Sequence, residues 1–181
     1  SMIMAKAMPD RISGIVMNDV GPVLDRAGLD RIAGYANKTE PYENWQAAAE
    51  AVARVQGDIF PDYGPDDWMA FARRTCREGE DGQVHLDYDP AITRTVGDVR
   101  PGFFVRRAMW KLFRSMRTKP LLLIRGETSD ILSVKTAQKM VRIHPDARLV
   151  TVPRIGHAPI LDEPEAVSAI SEFLARLEGP Q

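Results

Sequence analysis

Two short segments carry residue types that could do acid-base chemistry, and each follows a short apolar run. Asp130 lies in Arg125-Gly126-Glu127-Thr128-Ser129-Asp130, after Leu121-Leu122-Leu123-Ile124. His157 lies in Gly156-His157-Ala158-Pro159, after Leu149-Val150-Thr151-Val152. If both runs are parallel strands, both residues sit past carboxyl ends, where open α/β sheets place their ligand sites. The 27 positions from Asp130 to His157 leave room for one helix and one strand, as a parallel crossover requires. A carboxylate that fixes an imidazole lets the imidazole take a nucleophile's proton and return it to a leaving group.

Other titratable groups fit that chemistry less well. Glu127 shares the loop of Asp130 and reads as a loop carboxylate. Asp19, after the apolar run Ile12–Met17, could be the acid in an arrangement that puts it after an earlier strand; before Gly21-Pro22 it reads as a turn former. His85 and His144 have no motif around them and read as surface residues, and none of the serines sits in a Gly-x-Ser-x-Gly turn. Ser133 reads as a helix cap.

The elements that must position these residues follow from periodicity. Ile12–Met17, Leu121–Ile124 and Arg148–Val152 read as buried parallel strands. Met2 to Met8 reads as the last turns of a helix ended by Pro9, so a preceding segment is expected. The final helix should be capped by Asp162, with Glu165 completing a capping box and Pro164 in the first turn. Its apolar stripe is Ala166, Val167, Ile170, Phe173, Leu174 and Leu177. Between the first two strands, stripes at Trp45–Val55, Trp68–Cys76 and Val105–Met116 predict an inserted helical subdomain with almost no strand.

At Gly126 with Ser129-Asp130, and at Gly156-His157-Ala158-Pro159 leading into Leu161-Asp162-Glu163-Pro164-Glu165, the chain resembles the α/β-hydrolase superfamily. Asn18-Asp19-Val20-Gly21-Pro22 is similar to the place where that family leaves its sheet for a helical cap. The resemblance implies the C-terminal part of an α/β-hydrolase, with residues 1–19 and 118–181 in the core and 20–117 in the cap. It makes Asp130 the triad acid and His157 the base, in the chain order nucleophile, acid, histidine. The parent activity would be hydrolysis of an ester, lactone or similar acyl bond through a covalent acyl-enzyme.

No nucleophile elbow and no upstream oxyanion loop occur in the 181 residues, so the isolated chain is expected to be inactive. The alternatives are a haloalkane dehalogenase or epoxide hydrolase with an aspartate nucleophile, and a truncated remnant that dimerises or binds a partner. The expected ligand is a small acyl substrate, with no metal or organic cofactor and no nucleic-acid or membrane partner. Homodimerisation or association with a missing N-terminal segment would cover the unpaired edge of the first strand.

Composition bounds the remainder. Apolar residues are 44% and charged residues 27%, as in a globular domain. Twenty-four basic and 25 acidic side chains leave a net charge of −1, so no strong overall field draws in nucleic acid or membrane, and any such binding needs a local patch. Residues 100–119 are such a patch: Arg100, Arg106, Arg107, Lys111, Arg114, Arg117 and Lys119, without an acid. The simplest reading is the solvated side of an amphipathic helix, whose charge Glu78, Glu80, Asp81, Asp87 and Asp89 could neutralise within the fold; the functional reading is a patch for an anionic substrate or a nucleic-acid phosphate. A single cysteine, Cys76, rules out an internal disulfide, and the default compartment is the cytoplasm. Trp45, Phe60, Tyr63, Trp68, Phe103, Phe104 and Trp110 either pack the cap helices or line an acyl pocket.

Overall fold

The structure is a computed structural model and describes residues 2–36, 40–89 and 102–179. The chain divides into two compact units, residues 1–28 with 100–181 and residues 29–99.

The first unit is built on three parallel strands. Strand β1 is Ile15–Asn18; β4, Leu121–Gly126, lies between it and β5, Ala147–Val152. Ile15 is level with Leu121, and Leu121 with Ala147. All six residues of the middle strand are buried. Leu121 to Ile124 therefore form the continuous apolar run of a strand covered on both faces, and each fully buried side chain contributes roughly 1.5–3 kcal/mol relative to exposure.

Helices close over this sheet. Helix α1 spans Met2–Ala7 and is followed by a single 3-10 turn, Pro9–Arg11. Helix α5, Phe103–Arg114, belongs to this unit because Phe113, with Met116 just beyond, packs into a core shared with Met17, Leu121, Leu123 and Met140. Helix α6, Val134–Ile143, is capped by Ser133 as the sequence suggested, its side chain accepting from the Thr136 N–H.

Helix α7, Pro164–Glu178, starts where expected, but its cap differs. Pro164 takes the first helical position, which makes Glu163 the N-cap in place of Asp162. The Glu163 carboxylate turns back to accept from the Ile160 and Leu161 N–H groups. The buried stripe is also rotated from the expected one: Ala166, Ala169 and Phe173 face the core, while Val167 and Leu174 are about half exposed.

The second unit holds most of α2, Arg26–Ala36, with α3, Trp45–Gln56, and α4, Pro65–Thr75. Asn44 caps α3 by accepting from the Ala47 N–H at 2.9 Å. Ala48, Ala49, Val52, Phe60, Trp68 and Ala72 are buried in its core. The unit is not purely helical. Strands β2, Cys76–Glu78, and β3, Val84–Leu86, form an antiparallel hairpin. Three residues per strand are too few for alternation to register in a sequence window. The turn between them has Gly82 at φ +73° and Asp81 accepting from the Gln83 N–H.

Candidate active site

The carboxylate that the structure brings to His157 is Asp19, not Asp130. His157 Nδ1 and Asp19 Oδ2 are 2.8 Å apart. The Asp19 side chain has no solvent exposure, and that of His157 is 18% exposed.

Asp19 is placed by the end of β1. Its N–H donates to the Ile124 carbonyl at 2.7 Å, extending the β1–β4 ladder by one residue. Its φ is then +50°, a left-handed conformation that aspartate tolerates better than most residues. This turns the carboxylate across the end of β4, where Oδ1 accepts from the Gly126 N–H at 3.2 Å. A buried carboxylate is costly unless hydrogen bonded, and here each oxygen has a donor.

The loop carrying His157 is fixed by backbone contacts to the end of β4. Glu127 N–H donates to the Val152 carbonyl and Thr128 N–H to the Ile155 carbonyl, at 2.8 and 3.0 Å. The Glu127 carboxylate accepts from the Arg154 N–H at 2.7 Å, so this acid stitches two loops together. Gly126 is required here, because a Cβ would collide with the carbonyls of Gly156 and Ile155. Asn18 Nδ2 donates to the Pro159 carbonyl at 2.8 Å, holding the far side of the His157 loop to β1.

A carboxylate on Nδ1 makes that nitrogen the protonated one and leaves Nε2 as the basic nitrogen. Nε2 has no hydrogen-bond partner among the described residues. The arrangement can therefore accept a proton at Nε2 while Asp19 stabilises the imidazolium.

Asp130 is held in a different setting. Buried Arg125 donates to the carbonyls of Leu132 at 2.7 Å, Glu127 at 2.9 Å and Ser129 at 3.4 Å, which winds residues 127–132 around the guanidinium. Ser129 Oγ accepts from the Ile131 and Leu132 N–H groups, and the Asp130 carbonyl accepts from the Gly28 N–H. Asp130 thus helps join this loop to the start of α2. The signal for Asp19 was its place directly after a buried strand parallel to the two others, which the turn-like Gly21-Pro22 masked.

The remaining sequence candidates fall elsewhere. His85 pairs with Asp81 in the hairpin. His144 is buried rather than on the surface as the sequence suggested, and its Nδ1 accepts from the Asp146 N–H at 3.2 Å. Burial pushes the His144 imidazole below its ordinary value, against the opposing pull of the Met116 carbonyl and Asp146. Phe60, Tyr63 and Trp68 pack on one another, and Trp110 packs on Phe113 beneath the Lys139 ammonium. A cavity of about 810 Å³ in the second unit is lined instead by Tyr35, Tyr42, Val52, Phe71, Leu86 and Tyr88, among others. Among the described residues no group of three or more His, Cys, Asp and Glu side chains could hold a metal ion, and no helix is long and apolar enough to cross a membrane.

No family model matches the chain. It is 26% identical over 164 residues to the 3-hydroxybutyrate-oligomer hydrolase of Cupriavidus necator, covering 88% of this chain and 55% of that protein. It is 25% identical over 177 residues to the 2-(acetamidomethylene)succinate hydrolase of Mesorhizobium japonicum, covering 96% and 59%. The crystal structure of an alpha/beta hydrolase from Novosphingobium aromaticivorans superposes with a TM-score of 0.87 at 45% identity, over 97% of this chain and 61% of that one. The chain therefore spans somewhat more than half the length of each of these proteins.

Proposed function

Because this chain is a member of the α/β-hydrolase superfamily, we propose that Asp19 and His157 are the acid and the base of a hydrolytic triad whose nucleophile lies outside these 181 residues. The observation that carries this reading is the 2.8 Å contact of His157 Nδ1 with a carboxylate that solvent does not reach. In that role Nε2 removes the proton from a serine hydroxyl as its oxygen attacks an acyl carbonyl. The same proton then passes to the leaving group, and an acyl-enzyme remains. Water repeats the sequence: Nε2 takes a proton from water, hydroxide adds to the acyl carbon, and the serine leaves with the proton restored. Asp19 keeps Nδ1 protonated throughout and stabilises the transient imidazolium.

The substrate class we assign is a small molecule with an ester, lactone or similar acyl bond. Support comes from relatives whose names agree on hydrolysis and differ in substrate, one named for 3-hydroxybutyrate oligomers and another for 2-(acetamidomethylene)succinate. By itself the chain lacks the group that attacks, and we expect no His157-dependent turnover from it.

A chimera tests the assignment. The part of the Novosphingobium hydrolase that this chain does not cover is joined ahead of Met2, and p-nitrophenyl ester turnover is measured. Turnover should fall by about 10⁴-fold on Asp19→Asn and at least as far on His157→Ala, and stay within a few-fold on Asp130→Asn. Loss with Asp130→Asn but not with Asp19→Asn would reverse the assignment of the acid.

A further inference from the structure

Helix α5 presents two chemically different sides. Phe113 is fully buried and Trp110 packs edge-on against it, so the apolar side of the helix is committed to the core. Phe104, Arg107, Lys111 and Arg114 fall at i, i+3, i+7 and i+10, which lines them up on the opposite side. All four are exposed. The first turn adds Phe103, 72% exposed, beside Phe104 at 83%, values unusual for phenylalanine and here found on consecutive residues.

Among the described residues the cations on this side have no ion-pair partner. From Gly102 to Pro120 the sequence holds Arg106, Arg107, Lys111, Arg114, Arg117 and Lys119 and no aspartate or glutamate. Arg77, Arg148 and Arg176 are paired with carboxylates elsewhere, but what sets the six apart is their density along one helix and the stretch after it. The whole chain carries a net charge of −1, so the excess is a property of this surface and not of the molecule.

We propose that the exposed side of α5 docks onto an anionic membrane surface, with its cations against lipid phosphates and Phe103 and Phe104 in the interfacial layer. A basic patch attracts such a surface, and a pair of apolar anchors adds the second contribution that stable peripheral attachment needs. The aromatic geometry favours lipid over a single-stranded nucleic acid. The two rings stand edge to face at 77°, which forms a wedge rather than parallel faces between which bases could stack. A second copy of the chain would bring like charges together on this face.

Sedimentation with phosphatidylcholine vesicles, with and without phosphatidylserine, tests this. The chain should bind the phosphatidylserine vesicles at least tenfold more tightly, and rising salt should weaken that binding. Reversing three charges, Arg107→Glu with Lys111→Glu and Arg114→Glu, should weaken it by about a hundredfold or more. Phe103→Ser with Phe104→Ser should weaken it at least tenfold while leaving the melting temperature unchanged, since both side chains are exposed. Equal affinity for the two vesicles, no binding to either, or indifference to the phenylalanine pair would overturn the proposal. Tighter binding of a single-stranded RNA oligonucleotide than of the anionic vesicles would overturn it in favour of a nucleic-acid face.

Discussion

Replacing Asp19 by asparagine changes one buried atom and should change which nitrogen of His157 carries the proton. Asparagine tolerates the φ of +50° at this position, and its amide oxygen can keep the hydrogen bond from the Gly126 N–H. The amide nitrogen is then left facing His157 Nδ1 across 2.8 Å, and two donors cannot share that contact. The imidazole resolves the conflict by moving its proton to Nε2, so that Nδ1 accepts. One hydrogen bond to a charged group becomes one between neutral groups, while the cost of burying a carboxylate disappears. The two terms oppose each other, and the net change in stability should stay within about 1.5 kcal/mol. Alanine is harsher: it orphans the buried Gly126 N–H, about 1–3 kcal/mol, and places a residue that tolerates φ > 0 poorly, about 1–2 kcal/mol more. The assay is a long-range nitrogen-15 spectrum of the His157 ring, which distinguishes the tautomers, beside urea unfolding of the same samples. Asp19→Asn should fold and show the Nε2–H tautomer, and Asp130→Asn should leave Nδ1–H in place. The reasoning fails if Asp19→Asn keeps Nδ1–H, or if Asp130→Asn is the change that moves the proton.

Three further outcomes follow from the same contacts. Gly126→Ala should lower stability by about 3 kcal/mol in urea unfolding, because the added methyl meets two rigid carbonyls rather than a movable side chain. Arg125→Met removes the donors to three carbonyls, and with hydrogen bonds to charged groups at about 1.5–3 kcal/mol it should cost roughly 3 kcal/mol and speed amide exchange across residues 127–132. Stability should fall as pH drops from about 6.5, the ordinary histidine value: with the His144 imidazole held below that value by burial, the unfolded chain takes up the proton first. The stability that neutral His144 contributes is fully present above that pH, and unfolding free energies at pH 7.5 and 5.5 should differ less in His144→Gln.

Most of the scaffold could be read from the sequence, because its elements are long or strongly patterned. The run Leu121–Ile124 marks a strand covered on both faces, and the Ser133 cap and Pro164 start mark helix ends by local chemistry alone. The hairpin Cys76–Leu86 escaped because its strands are three residues each. The carboxylate that meets His157 was weighed in the sequence but set below Asp130, for a different reason. Asp130 has the spacing of a family motif, and a loop carboxylate in a motif is easy to accept. Its loop, however, is wound around the Arg125 guanidinium, whose reach from inside β4 no sequence window displays. Asp19 is separated from His157 by 138 positions, and they meet only because β1, β4 and β5 are parallel neighbours in that order. Periodicity reports elements, whereas this pairing depends on strand order.

On the proposed reading Asp19 holds the proton of His157 on Nδ1 and leaves Nε2 free to act as a base. The most direct measurement is the one-bond correlation from a ring proton to Nδ1 of His157 in the nitrogen-15-labelled wild-type chain at neutral pH, with its exchange with solvent. The account predicts a single strongly downfield Nδ1–H signal, slow to exchange because its carboxylate partner is buried, and lost in Asp19→Ala. A neutral ring carrying its proton on Nε2 in the wild type, or an Nδ1–H signal untouched by Asp19→Ala, would contradict it.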